Sequence, residues 1–189
     1  MSKKMTETAK EKPTEKVAVK TGKIGNAKTH EYFMRAAMGR AKTAAAHTET
    51  PVGAVIVKDG KIIAGGRNRR ETNKNALCHA EISAINSACK RLGGWRLCGC
   101  DIYVTLEPCP MCAGAIINSR INNVYFGAYD LKAGSFGSVT DLSKLEFNHK
   151  PNIFPGVLEK ECSRMLSDFF KELRTKKKQA GQKVTGKTL

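Results

Sequence analysis

Apolar positions along the chain change period several times, and the changes mark out its elements. Thr29 has the character of a helix N-cap, and from His30 to Ala46 the positions Phe33, Ala37, Ala41 and Ala44 recur at steps of three and four, which predicts a helix. Residues 51–57, Pro-Val-Gly-Ala-Val-Ile-Val, form a continuous apolar run of strand length. Asp59-Gly60 then signals a tight type I′ hairpin, with residues 61–65 as the returning strand. The stretch 66–77 is polar and Asn-rich and reads as a loop. His79–Arg91 carries Ile82, Ile85 and Cys89 on one face and predicts a second helix. A strand over 101–106, a helix from Cys109 to Asn118 and a buried-type strand over 123–128 follow. A long loop, 129–141, holds Gly134 and Gly137. Near 152–157 a short strand or an extended segment stays open. Leu158, Cys162, Met165, Leu166, Phe169, Phe170 and Leu173 predict an amphipathic helix over 158–173.

The order α-β-β-α-β-α-β-(β)-α predicts an α/β layered fold with helices on both faces of one sheet. The hairpin makes the first two strands antiparallel, and the later crossovers should be parallel and right-handed. The division expected is a disordered Lys-rich tail over 1–27, one domain over 28–174 and a basic tail over 175–189.

The chain has 189 residues, 41% of them hydrophobic, enough for the core of one domain. No apolar run reaches about 18 residues, so no membrane span is expected. The N-terminus has no secretory h-region and does not resemble an Arg-rich transit peptide, so the cytoplasm is the default location. Seven cysteines, an odd number without a secretion signal, argue for reduced thiols and against a disulfide framework. Cys98-Gly99-Cys100 has no spaced partners to complete a metal site and reads as a turn before a strand. The net charge is +16, of which residues 1–28 carry +5 and residues 171–189 carry +6. Basic tails can gather a polyanion or simply keep a protein soluble. The cluster Arg67-Asn68-Arg69-Arg70 in the body of the chain tilts the choice towards nucleic acid.

The candidate chemistry lies in two motifs. His79-Ala80-Glu81 and Pro108-Cys109-Pro110-Met111-Cys112 together offer one imidazole and two thiolates as a three-ligand zinc set, which leaves the fourth position open as catalytic zinc sites do. Glu81 is placed to face that position, and a carboxylate beside an activated water can take the water's proton and pass it on. Cys-x-x-Cys alone could be a redox pair; the upstream His-x-Glu and the proline before Cys109 weigh against that reading. Both ligand groups fall at predicted helix N-termini, where the dipole favours thiolate and backbone N–H groups are free to bind a substrate atom.

These residues resemble the cytidine-deaminase-like zinc enzymes, and within them the bacterial tRNA-specific adenosine deaminases. The likeness runs from His30 to about Arg174. Its stretches include residues 51–55, Asn68-Arg69, His79–Ile82, residues 104–116, Ser119-Arg120-Ile121, Phe126-Gly127-Ala128, Lys132–Ser138, Asn148-His149 and Asp168-Phe169-Phe170. The Lys132–Ser138 loop, Asn148-His149 and the last helix point to the tRNA branch. The resemblance implies a five-stranded mixed sheet in three layers and a homodimer with a site built partly across the interface. It also implies conversion of the anticodon wobble adenosine to inosine, with the tRNA anticodon stem-loop as partner. One zinc per subunit would be held by His79, Cys109 and Cys112, and Glu81 would move protons. Asn68, Ala80 and Asp130 would contact substrate, Asn68 at the flipped nucleoside and Asp130 near the ribose. Two features depart from the family pattern: Asn75-Ala76-Leu77-Cys78 before the histidine, and the Lys-rich N-terminal extension. The rival readings are a deaminase of a free base or nucleoside, such as guanine or cytosine, and a non-enzymatic RNA-binding module with a structural zinc.

Overall fold

The computed structural model describes residues 27–185. Its elements are helix α1 (Ala27–Ala46), strands β1 (Gly53–Lys58) and β2 (Lys61–Arg67), helix α2 (Ala80–Leu92), strand β3 (Cys100–Leu106), helix α3 (Pro110–Asn118), strand β4 (Asn123–Ala128), a 3-10 turn at Leu142–Lys144, strand β5 (Asn152–Phe154) and helix α4 (Glu159–Thr185). The strands form one mixed sheet in the order β2-β1-β3-β4-β5. β1 is antiparallel to both β2 and β3, and β4 is parallel to both β3 and β5. β2 and β3 therefore run the same way, so every crossover after the hairpin joins parallel strands, as expected. At the hairpin tip Asp59 and Gly60 both have positive φ, 49° and 70°, which a type I′ turn requires.

Alternation along the strands divides the core between the two faces of the sheet. Ala54, Ile56, Ile102, Val104, Val124 and Phe126 pack against Ala84, Ile85 and Ala88 of α2 and Ala113 and Ile116 of α3. Val55, Val57, Tyr103 and Tyr125 face the other way, onto Phe33, Met34 and Ala37 of α1 and Cys162 of α4. The result is the expected three-layer arrangement of a five-stranded mixed sheet between two pairs of helices. On the α1 side Tyr103, Tyr125 and Phe154 stack across three neighbouring strands, with centroids 4.5 and 4.7 Å apart. His30 stacks on Tyr125 and shares a 2.8 Å hydrogen bond with the Tyr103 hydroxyl, which fastens the start of α1 to the sheet.

Two glycines set how closely helices approach strands. A Cβ on Gly53 would overlap the backbone of α1 at Ala37, and one on Gly66 would overlap the backbone of α2 at Ala80. The second contact matters for function, because it seats the first turn of α2 directly on β2, beside His79.

Three expectations need correction. α1 begins at Ala27, so Thr29 lies inside the helix and does not cap it. Ala27 and Lys28 are better helix formers than threonine, and the turn extends through them. β2 continues to Arg67, taking two residues from the expected loop. α4 runs past Leu173 to Thr185, so most of the segment read as a basic tail is helical. Its apolar period stops at Leu173, but residues 174–183 are mostly Arg, Lys, Gln and Ala, which sustain a helix without burying a face. The open segment near 152–157 resolves into the three-residue strand β5. The expected Lys-rich tail falls almost wholly on residues 1–26, outside the described residues. Among the described residues, no helix is long and apolar enough to cross a membrane.

Candidate metal and catalytic site

β2 ends at Arg67, and the chain returns to the sheet through a polar turn. Within it the Asn75 side-chain carbonyl accepts from the Leu77 N–H at 2.9 Å, and the Cys78 N–H bonds back to the Asn75 carbonyl at 3.1 Å. This turn, made by the residues that depart from the family pattern, delivers His79 to the N-cap position of α2. β3 ends at Leu106, and Glu107-Pro108 leads to Cys109, the N-cap of α3, with Pro110 pre-set for the first helical turn. Neither side chain makes the usual N-cap hydrogen bond. The imidazole and the thiol are left free to turn towards each other.

They do so. His79 Nδ1 lies 3.7 Å from Cys109 Sγ and 3.5 Å from Cys112 Sγ, and all three ligand atoms fall within 4.8 Å of one another. Tetrahedral zinc with ordinary Zn–N and Zn–S bonds would separate nitrogen from sulfur by about 3.6 Å. The three donors therefore fit a metal of that geometry without rearrangement. All seven cysteines are free thiols, so Cys109 and Cys112 are not a disulfide. Cys98 and Cys100 take no part in the cluster.

Glu81, in the first turn of α2, is buried, and its Oε2 has no hydrogen-bond partner. A buried carboxylate oxygen left unpaired is costly, so the site is built for something that completes it. Burial pushes the Glu81 carboxyl above its ordinary value. Cys109 is lowered to about 4, because the Cys112 thiol donates to it and His79 lies beside it. Cys112 moves up for the reciprocal reason, as the donor to Cys109, and burial adds to the effect. The His79 pKa is raised, chiefly through its hydrogen bond with Cys109.

A pocket of about 160 Å³ opens at this cluster. It is walled by Thr50, Val52, Asn68, Arg70, His79, Ala80, Glu81, Leu106, Glu107, Cys109 and Asp130. Every expected site residue lines it except Cys112, which lies behind the others, fully buried. The Asn68 side-chain amide donates to Glu49 at 3.3 Å and to the Thr50 carbonyl at 3.4 Å, which fixes the plane of the amide. One Asp130 carboxylate oxygen accepts from the Lys132 and Ala133 N–H groups, so Asp130 also shapes its own loop.

Two buried acids had no assigned role in the sequence, and they hold the pocket's two rims. Glu49, fully buried, accepts from the backbone N–H of Glu71 (3.1 Å) and Thr72 (2.7 Å) and from Asn68. Burial works to raise its pKa, but the Thr72 and Glu71 donors outweigh it and the net shift is downward. Glu107 accepts from the backbone N–H of Asp130 (3.1 Å), Phe136 (3.0 Å) and Ser138 (3.1 Å), and from the Ser138 hydroxyl. Gly134 is required there, since any Cβ would strike the Glu107 carboxylate. Replacing Glu107 with glutamine should cost roughly 2–4 kcal/mol of stability, because an amide NH₂ then faces buried N–H donors. It should also raise KM by freeing the 130–138 loop. Denaturant unfolding and steady-state kinetics on the variant measure both effects. Unchanged stability would show that the loop holds itself.

Comparison with known proteins agrees with this geometry. Residues 28–174 match the MafB19-like deaminase family. The tRNA-specific adenosine deaminase of Bacillus subtilis (strain 168) is 51% identical over 156 residues, covering 82% of this chain and 97% of the relative. The chain belongs to the tRNA-specific adenosine deaminases. The deaminase of the same name from Agrobacterium fabrum is 44% identical over 144 residues, 76% of this chain and 95% of the relative. A solved structure from work on A-to-I editing by tRNA:A34 deaminases superposes with a TM-score of 0.70 at 42% identity, covering 71% of this chain and 99% of that one. The guanine deaminase of Bacillus subtilis gives a TM-score of 0.52 at 34% identity, over 63% of this chain and 87% of that one. The tRNA deaminases thus match over more of this deaminase, and at higher identity, than the guanine enzyme does.

Proposed function

We propose that this protein converts adenosine to inosine at the wobble position of tRNA anticodons by zinc-dependent hydrolytic deamination, acting as a cytoplasmic homodimer. The observation that carries the reading is Glu81: a buried carboxylate with one unpaired oxygen, on the wall of a base-sized pocket beside three converging ligand atoms.

His79, Cys109 and Cys112 would hold the zinc, which when bound would supply a Lewis acid that makes water nucleophilic at neutral pH. Glu81 takes a proton from the water and gives it to the ring nitrogen beside C6. The water's oxygen bonds to C6, and Glu81 then takes that oxygen's remaining proton and passes it to the exocyclic amine as the C6–N bond breaks. Adenosine and water become inosine and ammonia, with no other cofactor. Asn68, its amide fixed by Glu49 and Thr50, hydrogen-bonds the flipped nucleoside. The Ala80 backbone, at the N-terminal end of α2, is placed to meet a polar atom of the base, and Asp130 lies on the ribose side. The pocket is too small for a stacked duplex step, so the base must leave its stack. In an anticodon loop that costs only a few kcal/mol.

The test is incubation of the purified protein with an anticodon stem-loop bearing adenosine at the wobble position. The expected result is stoichiometric inosine and ammonia, with far slower release from free adenosine and none from guanine. Ammonia released from free guanine alone would replace this reading with the base-deaminase one. Bound zinc with no ammonia from any RNA would favour a structural module.

A further inference from the structure

On the face of the sheet covered by α1 and α4, away from the metal ligands, lies a second cavity of about 330 Å³. Its walls include Ala27 and His30 of α1, Tyr125 of β4, Phe154 of β5, and Val157 and Leu158 in the turn before α4. Phe154, Tyr125 and His30 stack in a row, with centroids 4.7 and 4.5 Å apart, so one wall is a packed aromatic surface. The turn beside it is shaped by its backbone, since Gly156 and Leu158 both have positive φ, 82° and 53°. Side chains held in this way do not fold in to close the cavity. Its apolar surface meets water unless something fills it.

The wall also carries one unsatisfied polar atom. His30 Nδ1 is engaged by the Tyr103 hydroxyl at 2.8 Å, while Nε2 is buried without a hydrogen-bond partner. When the tyrosine donates to Nδ1, Nε2 carries the ring's proton and needs an acceptor. A peptide would bring both aliphatic side chains and backbone carbonyls.

The chain has such a peptide at hand. Ala27, a wall residue, is the first described residue, and 26 residues precede it. The larger apolar residues among them are Met1, Met5, Val17, Val19 and Ile24, and three of these five fall within 17–24. Val17 lies ten residues before Ala27, which allows a span of up to about 35 Å, far more than the return requires. Gly22, Gly25 and Asn26 are residue types that let a chain reverse. The charges are complementary too. Lys16, Lys20 and Lys23 flank the apolar positions. The exposed Glu31 lines the cavity, and a carboxylate oxygen of the exposed Glu159 lies 3.6 Å from where a Cβ on Gly156 would stand.

We propose that residues 17–24 fold back onto this cavity and seat Val17, Val19 and Ile24 against Phe154, Val157 and Leu158. Tethering makes a modest contact sufficient, because a short flexible linker holds the segment at an effective concentration on the order of millimolar. The N-terminal extension, which lies outside the family match over 28–174, then acts as a clasp. It joins the start of α1 to β5 and to the turn before α4. The catalytic pocket takes no part, so the clasp serves stability whatever substrate that pocket accepts.

The experiment compares the full-length protein with a variant in which Val17, Val19 and Ile24 are changed to serine. None of the three belongs to the described core, so the variant should fold. Amide hydrogen exchange is followed by mass spectrometry in peptides covering 17–24 and 153–158. In the wild type, residues 17–24 should exchange roughly tenfold or more slowly than an unstructured chain. In the variant that protection should vanish, and residues 153–158 should exchange faster as well. The melting temperature should fall by about 2–4 °C. Exchange at the unstructured rate in the wild type overturns the proposal, as does protection that survives in the variant. Loss of protection at 17–24 with no change at 153–158 would place the segment elsewhere and overturns it too. Protection that grows with protein concentration would assign the cavity to a second copy of the chain, and the clasp within one chain would fail.

Discussion

Changing Glu81 to glutamine should leave the metal in place and remove turnover. The substitution keeps the shape of the side chain, and Glu81 is not one of the three converging donors, so the ligand set is intact. An amide cannot accept the water's proton. A single acid or base group typically contributes about 10²–10⁴-fold, and here one side chain serves two successive transfers, so the loss should lie at or above the top of that range. Single-turnover inosine formation measures the rate, and metal analysis of the same sample measures the ion. A variant that loses its zinc, or that keeps turnover within about tenfold of wild type, would show that Glu81 has been given the wrong role.

Changing Cys112 to serine should lower metal content, activity and stability together. Cys112 is fully buried behind the pocket, so its only evident task is to complete the donor set. A serine hydroxyl is a poor substitute, because it is not deprotonated at neutral pH and its shorter bond leaves it away from the ion. His79 begins α2 and Cys112 lies in the first turn of α3, so loss of the ion unties two helices that otherwise touch lightly. Binding energy at such a site is also folding energy. The wild type should carry one zinc per chain, the variant well below that, and the melting temperature should fall. A strong chelator should reproduce the fall in the wild type and leave the variant little changed. Full zinc in the variant would remove Cys112 from the ligand set. A reversible Cys109–Cys112 disulfide in metal-free wild type would restore the redox reading.

The cluster of His79, Cys109 and Cys112, with Glu81 beside it, was legible in the sequence because its residues are rare types at fixed spacings at two helix starts. The layers were legible because short apolar runs bounded by turn signals read as strands and longer stretches with apolar steps of three and four read as helices. The two acids that hold the rims were not. Glu49 and Glu107 act through backbone N–H groups some 20 to 30 residues away, and nothing in those partners' side chains announces the bond. The signal available was weak: an acid a few residues before an apolar strand, and an acid directly after one, where a solvated charge is the ordinary expectation. β5 was left open for a different reason. Three residues are too few to show a period, and only pairing with β4 makes Asn152–Phe154 a strand. The end of α4 escaped because an exposed helix of good formers carries no apolar repeat.

The edges of the sheet constrain how two copies of this chain can meet. β5 offers only three residues and passes at once into the turn before α4. β2 starts on Lys61 and ends on Arg67, and its ladder with β1 is broken at Ile56/Val57. Both are poor templates for a strand from another molecule. The proposed dimer is then better closed through helices and loops than as a continuous ten-stranded sheet. Exposed apolar side chains stand ready there: Leu131, Val139, Leu145 and Phe147 all lie on or just after the segment that Glu107 tethers. Since Asp130 of that segment also walls the pocket, a dimer closed there would tie self-association and catalysis to the same stretch of chain, and diluting the protein should then dissolve both together.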